Sequence, residues 1–259
     1  MGGHADEVKP PGPLLLALEG RAPWELGATI ASWPVLRRAP KGDGHAVMVF
    51  PGLAASDLTT WPLRAFLMDR GYDPYGWDLR FNFGPRKGVL EKSLERVRRL
   101  RRESGRKVSL LGWSLGGVFA REIAKMMPEE VRCVITLGSP FTGHPKANNA
   151  WRLYELVSGH RLDDDVHIAR VRETPPVPTT SIFTRTDGIV AWQCCLQARE
   201  ARAESIEVQA SHMGIGMNAA AWYAVADRLS QAEGRWRAFH RKGWREWLYR
   251  DPYRDADRG

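Results

Sequence analysis

The sequence predicts an α/β protein: a mostly parallel sheet of about six strands with helices on both faces. Three observations predict it. Short apolar runs alternate with amphipathic segments, many segments stop at Gly or Pro, and the strand–helix unit recurs along most of the chain. Repeated units of that kind give a parallel sheet covered on both sides.

Taken in order, Ala46–Phe50 is an apolar run ending at Pro51-Gly52 and reads as a buried strand. Asp57 is placed to cap a helix through Trp61, Leu63, Phe66 and Leu67, which Gly71 stops. A strand is expected at 75–79. Leu90, Leu94, Val97 and Leu100 recur at three- and four-residue spacing, so they form one apolar helix stripe with Arg and Lys on the other face. A strand at 108–111, a helix at 115–127 stopped by Pro128, and a strand at 131–137 follow. The rhythm then breaks. The segment 141–178, after the third-from-last strand, is too long for an ordinary connection and reads as a short lid-like insert with one helix at 150–157. Strands near 180–184 and 206–208 and a helix at 218–229 complete the pattern.

Three parts are expected: a helical N-terminal extension at 1–43 packed on the core, the α/β domain at 44–233, and an Arg/Trp-rich tail at 234–259. The composition fits a folded chain of this class. Of 259 residues, 43% are apolar and 26% charged, which excludes a mainly disordered polymer. The 25 Gly show no collagen period. Three Cys exclude a disulfide framework and favour a reducing, cytoplasmic setting. No apolar run approaches the roughly 20 residues of a membrane span. The net charge is 38 − 30 = +8. Residues 86–107 carry ten Lys/Arg against three Glu, and 235–258 carry eight Lys/Arg against four Asp/Glu. Those two stretches exceed the whole excess, and no nucleic-acid module accompanies them.

The sharpest chemical signal is Gly112-Trp113-Ser114-Leu115-Gly116-Gly117, a Gly-x-Ser-x-Gly turn between an apolar strand and a helix. Such a turn holds the Ser hydroxyl out on a strained backbone, and the residues two before and two after must be small. A hydroxyl is a weak nucleophile and needs a base, which needs an orienting acid. Asp187 and His212 follow in that order, each just past an expected strand. Rival acids are Asp163, Asp164 and Asp165; rival bases are His144, His160, His167 and His240. An oxyanion hole needs two backbone N–H donors, expected from Leu115 and from Leu53 in the loop after the first strand.

These residues make the sequence resemble the α/β-hydrolase superfamily, closest to compact bacterial lipases and esterases. The resemblance rests on Phe50-Pro51-Gly52-Leu53, the Ser114 turn, Leu137-Gly138-Ser139-Pro140, Asp187-Gly188-Ile189-Val190 and Ser211-His212-Met213, within about 44–229. It implies hydrolysis of a small-molecule or lipid ester through an acyl-enzyme, with Ser114, His212 and Asp187 as the catalytic triad. Many relatives carry His-Gly where this chain has Pro51-Gly52, and the usual leading hairpin is replaced by a helical start around 24–36. Dehalogenases and epoxide hydrolases of this fold use an Asp where Ser114 stands. No metal or other cofactor is expected. Trp113, Phe141, Trp151 and Met213 are expected at the substrate, and Trp151, Tyr154, Leu156 and Val157 as a lid or acyl wall. The tail aromatics among Arg and Lys suit either peripheral contact with an anionic membrane or packing back onto the domain. Two other functions keep the same residues: acyl transfer or thioester hydrolysis, and non-catalytic lipid or partner binding. With His212 as base, activity should fall below about pH 6.

Overall fold

The computed structural model describes residues 8–143, 146–158 and 171–254. A helical segment leads: α1 (Pro13–Ala17), a 3-10 turn (Leu18–Arg21), α2 (Ala22–Ala31) and α3 (Trp33–Leu36). The core then alternates β1 (Ala46–Phe50), α4 (Asp57–Asp69), β2 (Asp73–Gly76), α5 (Val89–Ser104), β3 (Val108–Trp113), α6 (Leu115–Met126) and β4 (Val131–Leu137). After α7 (Trp151–Ser158) come β5 (Thr179–Phe183), β6 (Ala203–Glu207), α8 (Ala219–Leu229) and α9 (Arg245–Leu248). All six strands pair parallel in the order β2-β1-β3-β4-β5-β6.

The sheet separates two apolar layers, as continuous apolar strands require. In β1, Val47 and Val49 face the layer with Leu63, Phe66 and Leu67 of α4 and Trp222 and Val225 of α8. Ala46, Met48 and Phe50 face the layer with Leu94, Val97 and Leu100 of α5 and Phe119 and Ile123 of α6. The apolar stripe of α5 is thus the buried one, and Arg98, Arg99 and Arg102 stand in solvent.

Three local expectations are corrected. Asp57 is the first residue of α4, but its carboxylate does not cap that helix. It accepts from the N–H groups of Trp77 (3.0 Å) and Asp78 (2.9 Å) instead. That pull ends β2 at Gly76 rather than at 79, turns Trp77 into the core, and leaves Asp78 with φ of 63°. The last strand starts earlier than expected, at Ala203, because Thr179–Phe183 of β5 pair with all five of its residues.

The tail folds back on the domain. Phe239 and Tyr249 enter the α4/α8 core layer, Tyr249 Oη donates to the Ala220 carbonyl (2.9 Å), and Arg254 pairs with Glu207 on the edge strand β6. Trp244, Trp247 and Leu248 remain exposed. Among the described residues, no helix is long and apolar enough to cross a membrane.

Candidate active site

The sheet order sets the location. After β1 the chain leaves toward one neighbour and after β3 toward the other, so their carboxyl ends open a crevice where parallel sheets bind ligands. Ser114 lies at that point, between β3 and α6, with φ of 52° and ψ of −123°. The turn is possible only with tiny neighbours. A Cβ on Gly116 would lie 2.4 Å from the Phe50 carbonyl oxygen. Such backbone strain costs of order 1–3 kcal/mol and is held by surrounding packing.

Asp187 follows β5 and His212 follows β6, so the two lie across β4 from Ser114. The residue after β4 must therefore leave room. It is Gly138, at φ of 56°, and a Cβ there would sit 3.3 Å from His212 Nδ1. Through that gap the three side chains line up. His212 Nδ1–H donates to Asp187 Oδ2 at 2.7 Å, and Ser114 Oγ–H donates to His212 Nε2 at 2.9 Å. The Asp187 bond assigns the neutral tautomer with a free Nε2 lone pair. Asp187 Oδ1 accepts from Ile189 N–H (2.9 Å) and Val190 N–H (2.7 Å), which fixes the carboxylate plane. Asp187 and His212 are 2% and 3% exposed, while Ser114 is partly open.

Burial alone would push the His212 pKa down. The Asp187 charge and hydrogen bond, with the Glu19 charge behind them, outweigh it and raise it above 6.5. The sequence expectation of a fall in activity below about pH 6 therefore moves to higher pH.

Two backbone N–H groups near Ser114, those of Leu53 and Leu115, have no acceptor among the described residues. The Leu53 loop is drawn against the nucleophile, since a Cβ on Gly52 would lie 3.4 Å from Ser114 Cβ. Buried Asn82 holds it there. Its Nδ2 donates to the Pro51 carbonyl (2.8 Å), its backbone carbonyl accepts from Ala54 N–H (2.7 Å), and its N–H donates to Ala55 O (2.8 Å). Sequence reasoning missed Asn82, because no motif marks a side chain that acts on backbone 31 residues away.

The expected substrate residues divide. Met213 is exposed beside His212, and Trp151 is half-buried with Lys146 Nζ 5.3 Å from its ring. Trp113 and Phe141 are packed inside. Trp113 Nε1 donates to the His212 carbonyl (3.1 Å), and Phe141 lies under the Arg121 guanidinium at 3.8 Å. Neither offers a free face to solvent. The insert helix α7 runs beside the site. A Cβ on Gly84 would meet Tyr154 and Ser158, and Asn149 donates to the Gly188 carbonyl (2.8 Å). Leu153 and Leu156 are exposed. The rivals Asp163, Asp164, Asp165, His144, His160 and His167 lie outside the described residues, as does the Val157 side chain. His240 is exposed on the tail. Among the described residues, no group of three or more His, Cys, Asp or Glu is placed to hold a metal ion.

The same three residue types line up a second time, at the opposite pole of the sheet. His45 Nδ1 meets Asp43 Oδ1 at 2.5 Å and Nε2 meets Ser109 Oγ at 2.8 Å. Ser109 lies within β3, wholly buried, with no strained turn and no helix N-terminus ahead of it. That line is a structural hydrogen-bond network running from buried Ser109 and His45 out to the exposed Asp43.

The fold is that of an α/β-hydrolase, with a serine on its strand-to-helix turn. The family model described as Serine hydrolase (FSH1) matches residues 53–214, and the chain belongs to that family. Solved structures agree in fold. Aspergillus fumigatus lipase B superposes with a TM-score of 0.60 at 19% identity, covering 73% of this chain and 53% of that one. The chain thus spans about half the length of that lipase. A monoacylglycerol lipase of Paleococcus ferrophilus gives 0.52 at 15% identity, over 74% of this chain and 96% of its own. An α/β superfamily hydrolase of Oenococcus oeni gives 0.54 at 16%, over 72% and 91%. No curated protein matches the sequence.

Proposed function

We propose that this serine hydrolase cleaves carboxylic esters through an acyl-enzyme. The observation that carries the reading is the unbroken line from Ser114 Oγ through His212 to Asp187, at 2.9 and 2.7 Å. Ser114 Oγ attacks the ester carbonyl while its proton passes to His212 Nε2. The oxyanion takes the N–H groups of Leu53 and Leu115. The imidazolium returns the proton to the leaving alkoxide, and water, deprotonated by the same nitrogen, releases the acid. The exposed Leu153 and Leu156 of α7, with Met213, supply an apolar wall for the acyl chain. Monoacylglycerol and other lipase neighbours of the same fold support a small-molecule or lipid ester.

The test is hydrolysis of p-nitrophenyl esters of rising acyl length by wild type and Ser114→Ala. The variant should lose at least about a thousandfold in kcat, the scale of triad deletions. A fluorophosphonate should label wild type at Ser114 only. No turnover and no label would move the chain to the non-catalytic reading.

The division into an extension at 1–43, a hydrolase domain at 44–233 and a tail at 234–259 belongs to the same proposal, as does the cytoplasmic setting, which the three free thiols support. Exposed Trp244, Trp247 and Leu248 among Arg residues support contact with an anionic membrane. Changing Trp244 and Trp247 to Ser should then weaken co-sedimentation with anionic vesicles, and unchanged binding would remove that contact.

A further inference from the structure

We propose that Glu19, on the 3-10 turn of the N-terminal helical segment, is a positioning residue that sets the Asp187 and His212 loops in register with Ser114. The inference rests on the triad reading above and adds a residue from outside the matched family region, 53–214.

Glu19 is 9% exposed, and its carboxylate has three backbone donors. Oε1 accepts from Gly188 N–H (2.7 Å) and His212 N–H (2.9 Å), and Oε2 from Met213 N–H (2.8 Å). Gly188 directly follows Asp187, so one side chain ties the acid's loop to the base's own backbone. Buried charge-assisted bonds of this kind are among the stronger ones in proteins. The fit is close, since a Cβ on Gly188 would lie 2.2 Å from the Leu15 carbonyl oxygen. The rest of the segment acts on the same two loops. Glu25 accepts from Ser211 N–H (2.8 Å), and Arg21 donates to the carbonyls of Ala210 (2.6 Å) and Thr186 (3.2 Å).

A carboxylate there has an electrical consequence as well. The charged groups around His212 are Asp187 on its ring, Glu19 on its backbone, and Glu25 and Arg21 on the two residues before it. The Glu19 charge helps raise the imidazole pKa, so it also stabilises the imidazolium formed during catalysis. Helical packing alone would place the loops without that effect.

The full-length chain is assayed with p-nitrophenyl butyrate from pH 5 to 9 as wild type, Glu19→Gln, Glu19→Asp and Thr29→Val. Thr29 donates a buried bond from the same segment to the Met217 carbonyl (2.7 Å) and touches neither loop's donors. Glu19→Gln should lower kcat by about tenfold to a hundredfold, the scale of a misplacement near 1 Å. Its KM should stay within about twofold if ground-state binding is untouched. The acid limb of its kcat/KM profile should move to lower pH. Glu19→Asp should keep the limb and recover part of kcat. Thr29→Val should lower the melting temperature and leave kcat and limb in place. A Glu19→Gln enzyme with wild-type kcat and limb overturns the inference. So does a limb that moves equally in Thr29→Val, or a failure of both Glu19 variants to fold, which would make Glu19 a folding element only. Wild type that neither turns over nor takes a fluorophosphonate instead defeats the triad reading itself.

Discussion

A Cβ on Gly112 would stand 2.3 Å from the carbonyl oxygen of Gly116. The strand entering the nucleophile turn and the helix leaving it touch backbone to backbone. Real side chains do not approach so closely, and both neighbours are main chain, so nothing can rotate away. Gly112→Ala should therefore push α6 off β3. A forced fit in a packed core costs roughly 1–3 kcal/mol, and the displaced Ser114 should lose most of its reactivity toward a fluorophosphonate. Thermal unfolding and labelling rate, measured on one preparation, check both halves. A variant that melts and labels like wild type would show that the turn is loose.

The nucleophile turn was legible because its constraint is local. Backbone contact within five residues dictates Gly112, and the fixed turn sets Gly116 against the Phe50 carbonyl of the neighbouring strand, so the chemistry is written as a motif. The sheet was legible for a related reason, since strands buried on both faces need continuous apolar runs. Glu19 and Asn82 were not legible. Each acts by hydrogen bonds to backbone far away in sequence, Glu19 across 193 residues to His212. A backbone acceptor or donor carries no side-chain identity at the other end, and a Glu following the apolar Leu14–Leu18 run looks like a surface residue. Trp113 is the opposite case. Its place beside Ser114 suggests a substrate contact, while the sheet's alternation turns it into the core.

The His212 environment fixes the direction of the pH profile. The reacting form is neutral, and the Asp187 and Glu19 charges raise the imidazole pKa above 6.5. The acid limb of kcat/KM should thus lie above pH 6.5. Asp187→Asn removes the larger of those charges and the bond that fixes the tautomer. Its limb should move to lower pH while kcat falls by about ten-thousandfold, the scale seen when a triad acid loses its charge. Ester hydrolysis in a constant-ionic-strength buffer series measures both. A wild-type limb well below pH 6.5, or a limb unmoved by Asp187→Asn, would contradict the assignment.

The Asp43–His45–Ser109 line has the distances of the active site, but its serine is wholly buried where Ser114 is partly open, so the two can be separated by experiment. Ser109→Ala should leave ester turnover and Ser114 labelling unchanged. It strands His45 Nε2 in the core, at a cost of about 1–3 kcal/mol, read as a lower urea midpoint. The pH dependence follows from His45 itself. Burial pushes its pKa below 6.5, against the opposing pull of Asp43. The unfolded chain therefore takes up the proton first as pH drops, and stability is lost as pH falls below 6.5 toward the lower folded value. His212, with its raised pKa, contributes in the opposite sense: its share is present below 6.5 and lost as pH rises through its folded value. Urea midpoints between pH 8 and 5 should thus fall less steeply in His45→Gln than in wild type. Parallel curves would mean that His45 titrates alike in the folded and unfolded chain, and a wild-type midpoint that falls less steeply than the variant's would mean that Asp43 holds it protonated as an ion pair.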